Sequence, residues 1–324
     1  MTEPPRRPPA AVLTELRREV RFHCPAATAS GSCGSPYLTW HHFDPPWRVE
    51  KHHRPEGMIA LCREHADKAD NGSYTDDQLR RFKRSGALNE TEVRGRFEWM
   101  RRDLVAILGS NVFVDTPVLL SFDGIPVIWF RRNENGEVMV NYRMPSVSPR
   151  TTIINNVWDV DQGDIDEVIC PPGARTLEVR YTNGDIFKVE FYAAETAEDA
   201  IRRFPRVGPR HKLRGLSYPS TFVTITDVAQ EGRIRFHEDR VFKPIQGHQI
   251  ASSWFESCVV GIAVSGESPE ALARDERQHR VWKEGRTPAV RQRLIEEWLD
   301  EFDAERAAAE IQQAVAVRRS RSRP

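Results

Sequence analysis

No apolar run in the 324-residue sequence approaches the roughly 20 residues that a membrane-spanning helix needs. Charge of neither sign is in excess, since 47 Lys and Arg stand against 47 Asp and Glu. The first absence excludes helical membrane spans. The second removes the whole-chain signature of a polyanion binder, so any basic surface must come from local segregation. The opening Met1-Thr2-Glu3-Pro4-Pro5-Arg6-Arg7-Pro8-Pro9 lacks the apolar stretch of a secretion signal. Cysteine is scarce too: five, odd in number and clustered, which argues against a secreted disulfide framework. A cytoplasmic protein is expected. Residues 110–266 contain no phosphate-binding loop, nucleophile triad or carboxylate cluster.

What is present is ordinary in bulk, with 39% apolar and 29% charged residues, and long enough for two or three domains. The patterning predicts an α+β protein. Residues 1–10, rich in Pro and Arg, are expected to be a disordered tail. Residues 11–109 form the first domain. It has a helix over Ala11–Val20, strands at Tyr37–Trp40 and Met58–Leu61, and a helix from Cys62 to the Asn71-Gly72 stop. Further helices are expected over Asp76–Arg84, with Leu79 and Phe82 inward, and over Glu90–Leu108. Residues 110–266 alternate as strands, including a type I′ hairpin at Asn183-Gly184, and predict a β-rich domain, sandwich or β-helix. Residues 267–324 turn helical. Thr287-Pro288 opens a helix with Leu294, Ile295, Trp298, Leu299 and Phe302 in one stripe, and a basic tail follows from Arg318.

The chemistry is concentrated between Cys24 and Lys83, which holds three of the five cysteines and five of the ten histidines. Cys24-x8-Cys33 and Cys62-x2-His65 form two pairs. Together they make the three-thiolate, one-imidazole set of a closed structural Zn2+ site. The bland alternative is three buried cysteines; the ligand spacing of Cys62 and His65 favours zinc. Cys170 and Cys258, far away, read as small core residues. His41 and His42 are adjacent on a strand, so their side chains leave on opposite sides and can do different jobs.

A histidine pair at a short strand, a Pro-bearing loop, an apolar strand leading into Cys62-x2-His65 and a following helix resemble the HNH endonucleases. The resemblance covers about residues 20–85. It implies a ββα-metal finger with an added zinc knuckle. It also implies that His42 is the general base of phosphodiester hydrolysis. His41 and Asp70 would be the ligands of a catalytic Mg2+ or Mn2+ ion. DNA is the implied partner, and Arg48, Lys51, Arg54, Arg81 and Lys83, with Trp40 and Trp47 interleaved, are the candidate nucleic-acid contacts.

Two positions depart from the family pattern. Gly57 stands where the family has a loop-steadying Asn, with His53 the nearest substitute. Ala66 stands where similar sequences carry a metal-binding side chain, and a methyl group cannot ligate. The implied function is a metal-dependent DNA endonuclease impaired by Ala66. The alternative is a non-catalytic, zinc-stabilised nucleic-acid-binding module. The β-rich domain is left for a homo-oligomeric or regulatory contact.

Overall fold

In the computed structural model, residues 4–28, 31–85, 92–144, 150–229, 234–237, 239–243, 247–264 and 269–321 are described. The ligand-rich start of the chain makes a finger with its own small core. Helix α1 (Ala10–Glu19) turns Leu16 inward, and the two-residue strands β1 (Ala27–Thr28) and β2 (Gly31–Ser32) pair as a hairpin. Strands β3 (Leu38–His42) and β4 (Met58–Cys62) pair antiparallel, with His42 opposite Met58 and Leu38 opposite Cys62. The strand expected over Tyr37–Trp40 therefore extends through the histidine pair to His42.

Strand β4 reads Met-Ile-Ala-Leu-Cys, apolar on both faces, and all five residues are buried. It is covered on both sides by α1, by α2 (Arg63–Asp70) and by α3 (Asp76–Ser85). Side chains such as Ile59 and Leu61 each contribute roughly 1.5–3 kcal/mol by leaving water. A reciprocal cap starts α3: the Thr75 hydroxyl accepts from Gln78 N–H at 3.2 Å, and the Gln78 side chain accepts from Thr75 N–H at 2.8 Å. Residues 4–9, expected to be disordered, run along this finger, with Pro8 buried.

The body begins at β5 (Glu92–Arg96), β6 (Val105–Leu108), β7 (Asn111–Val114), β8 (Val118–Phe122), β9 (Ile125–Arg132) and β10 (Val138–Arg143). It continues through β11 (Thr151–Ile154), β12 (Val157–Asp161), β13 (Ile165–Ile169), β14 (Thr176–Tyr181) and β15 (Ile186–Ala194). After the short helices α4 (Ala197–Arg203) and α5 (Arg210–Arg214) come β16 (Ser220–Val228), β17 (Arg235–Phe236) and β18 (Val241–Lys243). The last strands are β19 (His248–Ile250), β20 (Trp254–Glu256) and β21 (Val260–Val264). One sheet has the order β21-β8-β9-β10-β11-β12-β5. The other runs β13-β14-β15-β16-β17-β18-β19, with β6 joined to β16 and β7 linking β6 to β20. Both sheets face one core, in which the Tyr142 and Phe187 rings lie 4.5 Å apart across the layer. The body is a two-sheet sandwich and not a β-helix.

Three expectations change here. The helix over Glu90–Leu108 is replaced by β5, a loop and β6; residues 86–91 lie outside the described residues. Val93 and Phe97, four apart, fit a strand face as well as a helix face. Gly95 decides it, because a Cβ there would sit 2.2 Å from the Trp158 ring of the paired strand. β5 and β6 belong to the two sheets, so residues 92–96 and 105–108 pack with the β-rich body and not with the finger. At Asn183-Gly184 only the glycine has positive φ, and Gly184 N–H reaches Tyr181 O at 2.9 Å. The turn is a three-residue loop ending in a left-handed glycine, not type I′.

Helix α1 ties finger to body. Arg17 and Thr14 both hydrogen-bond Glu167 on β13, and Arg18 Nε donates to Asp166 O at 2.9 Å. Burial opposes the charge on Glu167, but Arg17 and Thr14 outweigh it and hold the carboxyl below its ordinary value. Helix α6 (Pro269–Glu284) and the long α7 (Pro288–Arg321) follow the sandwich. The expected stripe from Leu294 to Phe302 packs on Trp129, whose ring meets Phe302 edge-on at 5.4 Å. Cys170 is in the core as expected. Cys258 is only half-buried, lining an 800 Å³ cleft beside Trp282.

Candidate metal centre and histidine pair

The wide gap between Cys24 and Cys33 is closed by backbone. Cys24 N–H donates to Ser35 O and Cys33 N–H to Ala26 O, so the β1–β2 hairpin brings both thiols to one point. Cys62 ends β4 and His65 lies one turn into α2. The four ligand atoms all fall within 4.8 Å of one another, the one such group among the described residues. Cys33 and Cys62 Sγ are 3.9 Å apart, and Cys24 Sγ lies 3.5 Å from His65 Nδ1. Around a tetrahedral zinc, sulfur–sulfur edges of about 3.7 Å and sulfur–nitrogen edges of about 3.5 Å are expected. The Cys62 thiol is drawn down to about 5, first by a hydrogen bond from Cys24 and then by His65, while Cys24 is pushed up in exchange. A thiolate at Cys62 is what a metal ligand requires. The group can hold a metal such as zinc.

His41 and His42 do take different partners. His41 Nδ1 meets Asp70 Oδ1 at 2.9 Å, joining β3 to the last residue of α2. His41 is 9% exposed and Asp70 69%, so the pair opens to solvent on the carboxylate side. Burial lowers the His41 pKa despite Asp70, which favours the neutral, metal-binding imidazole. Ala66, one turn before Asp70, is 6% exposed and offers a methyl group only.

His42 Nε2 lies 2.9 Å from the backbone carbonyl of His52. A carbonyl only accepts, so Nε2 carries the hydrogen and Nδ1 keeps a free lone pair. The His42 pKa falls to about 4, chiefly through burial and then through the neighbouring imidazoles. The ring is therefore neutral near pH 7 and can accept a proton. Trp47 leans on it at 4.8 Å, and Trp47 in turn stacks on His53 at 5.3 Å.

The loop after His42 is steadied by backbone at Gly57 and by the side chain of His52. Gly57 O accepts from both Phe43 N–H and Asp44 N–H, at 2.9 and 3.2 Å. A Cβ at Gly57 would lie 1.9 Å from Asp44 O, so only glycine permits the approach. The side chain that helps is His52, not His53. Its Nε2 donates to Pro45 O at 2.9 Å, while its Nδ1 accepts from Arg54 N–H at 3.1 Å. The signal in the sequence is the second histidine pair itself, of which His52 and not His53 makes the contact.

The basic candidates divide. Lys83 is 12% exposed; its ammonium binds Pro55 O, Met58 O and Glu19, so it holds the finger together and does not face a ligand. Arg54 pairs with Glu50 on the surface, and Arg80 spans Asp44 and Asp77. Arg48, Lys51 and Arg81 are exposed. The tail from Arg318 continues α7 as far as Arg321, and residues 322–324 lie outside the described residues. No helix of the described residues is long and apolar enough to cross a membrane. No family model, curated protein or solved structure matches the chain.

Proposed function

We propose that the chain is an HNH-type, metal-dependent DNA endonuclease with a structural zinc, its cleavage impaired by Ala66. The observation that carries this reading is the split of two adjacent imidazoles: His42 fixed by the His52 carbonyl with Nδ1 free, His41 set against the carboxylate of Asp70. The antiparallel β3–β4 pair running straight into α2 supports the finger that the resemblance implies.

In this reading His42 Nδ1 takes a proton from a water molecule, whose oxygen attacks the phosphorus while a P–O bond of the backbone breaks. The His52 carbonyl keeps the ring in the tautomer that can do so. His41 and Asp70 would hold Mg2+ or Mn2+, which supplies positive charge opposite the scissile phosphate and leaving oxygen. Two protein donors make a weak hold, and Ala66 adds none. Arg48, Lys51, Arg54 and Arg81 would position the duplex through its phosphates. The sandwich body is assigned a regulatory or homo-oligomeric role. A cytoplasmic setting completes the proposal.

The buried methyl of Ala66 also favours a second reading, a zinc-stabilised DNA-binding module without catalysis. Incubating supercoiled plasmid with the full chain and Mg2+ or Mn2+, beside a binding assay on the same DNA, tests both. Slow nicking that EDTA stops supports the first reading, and binding with no nicking under any divalent ion supports the second. Neither binding nor nicking contradicts both.

A further inference from the structure

The Pro- and Arg-rich start of the chain is anchored beside the histidine pair. His53 Nε2 donates to Pro5 O at 2.7 Å, and the His53 ring lies 5.9 Å from the His42 ring and stacks on Trp47. Three residues on, Pro8 is buried, and Pro9, with φ −56° and ψ 152°, enters α1 in extended polyproline geometry. Between these two fixed points the backbone bends at Arg6 and Arg7, and both arginines are exposed. Prolines on either side restrict the unfolded alternatives of the segment, so less freedom is lost when its arginines engage a partner. Guanidinium groups match phosphate oxygens in a bidentate fork.

We propose that residues 4–9 form a phosphate-gripping arm for double-stranded DNA, in which Arg6 and Arg7 hold the backbone next to the His42 loop. The proposal rests on the DNA-binding reading above and adds two contact residues that lie outside the finger's ββα core. Their job is to position the duplex; neither touches the reacting atoms. The anchor at His53 explains why the arm is beside the histidine pair and not elsewhere on the surface.

The test is binding of a fluorescent duplex of about 20 base pairs to the full chain and to Arg6→Ser/Arg7→Ser, over a range of salt. Each lost phosphate contact flattens the slope of log affinity against log salt by about 0.9, so the double variant is expected to lose up to about 1.8. Its affinity at low salt should fall by about tenfold, with zinc content and melting temperature unchanged. Arg6→Lys/Arg7→Lys should restore the slope but only part of the affinity, because lysine lacks the fork. Parent-like affinity and slope in the serine variant overturn the arm while leaving DNA binding by the finger intact. Tighter binding by the serine variant overturns it too, since the segment would then shield the site. If the parent chain binds no duplex, the arm falls together with the DNA-binding reading itself.

Discussion

His42 donates its Nε2 hydrogen to the carbonyl of His52, 2.9 Å away and ten residues on in the chain. That bond fixes which nitrogen of His42 is free, and it is made by backbone, so no substitution at position 52 removes the acceptor. In the most active version of the chain, His42→Ala should lower the cleavage rate by about 10²–10⁴-fold while zinc content stays the same. A rate within a few-fold of the parent would show that another group takes the proton.

The Cys24, Cys33, Cys62 and His65 set ties the β1–β2 hairpin to the end of β4 and the start of α2. Metal analysis of the purified chain should find about one zinc per molecule. Cys33→Ser and Cys62→Ser should each reduce it, and hydrogen exchange should rise across the finger and not across the sandwich. A well-folded, zinc-free preparation would contradict the assignment.

Gly57 gives a prediction against intuition. Placing an asparagine there, as the resemblance to HNH endonucleases would suggest, should harm the finger, because any Cβ meets the Asp44 carbonyl at 1.9 Å. Gly57→Asn and Gly57→Ala should both destabilise it, by about 1–3 kcal/mol, and neither should speed cleavage. Thermal unfolding followed on the finger checks the first part, and plasmid nicking the second.

These residues also show how far the sequence could be read. The α1–α3 helices and the β3–β4 pair were legible because capping residues, apolar runs and the Asn71-Gly72 stop agree with one another. The stripe on α7 was legible for the same reason, a sustained helical period over one face. Residues 92–108 are ambiguous in the sequence, because apolar positions four apart serve either period and the close contact of Gly95 with Trp158 is 63 positions away in the chain. The Cys24, Cys33, Cys62 and His65 group could be found by residue type and spacing. The roles of Gly57 and His52 could not, since they act through a close backbone approach and through a carbonyl that every residue possesses.

Asp227 sets a pH dependence inside the sandwich. It is buried, accepts the Tyr142 hydroxyl, and faces Arg150 and Asp185. Burial raises its carboxyl from 3.8 to about 6, against the opposing pull of Tyr142 and Arg150. A raised folded value means that its contribution is complete below about pH 4 and is lost as pH rises through about 6, by about 3 kcal/mol at most. Asp227→Asn, whose carbonyl can still accept from Tyr142, should remove this decline. Parallel stability curves for parent and variant between pH 4 and 7 would contradict it.

The most direct test of the central claim is plasmid nicking by Ala66→His in Mg2+ or Mn2+. Positions 66 and 70 share a helix face, so the added imidazole would join His41 and Asp70 as a third donor while leaving room for water and phosphate. The parent should bind DNA but cut it poorly. Ala66→His should cut faster by orders of magnitude at unchanged zinc content, and adding Asp70→Ala should abolish the gain. A parent that already cuts at full rate, unaffected by the new histidine, would contradict the placement of the catalytic metal on this helix.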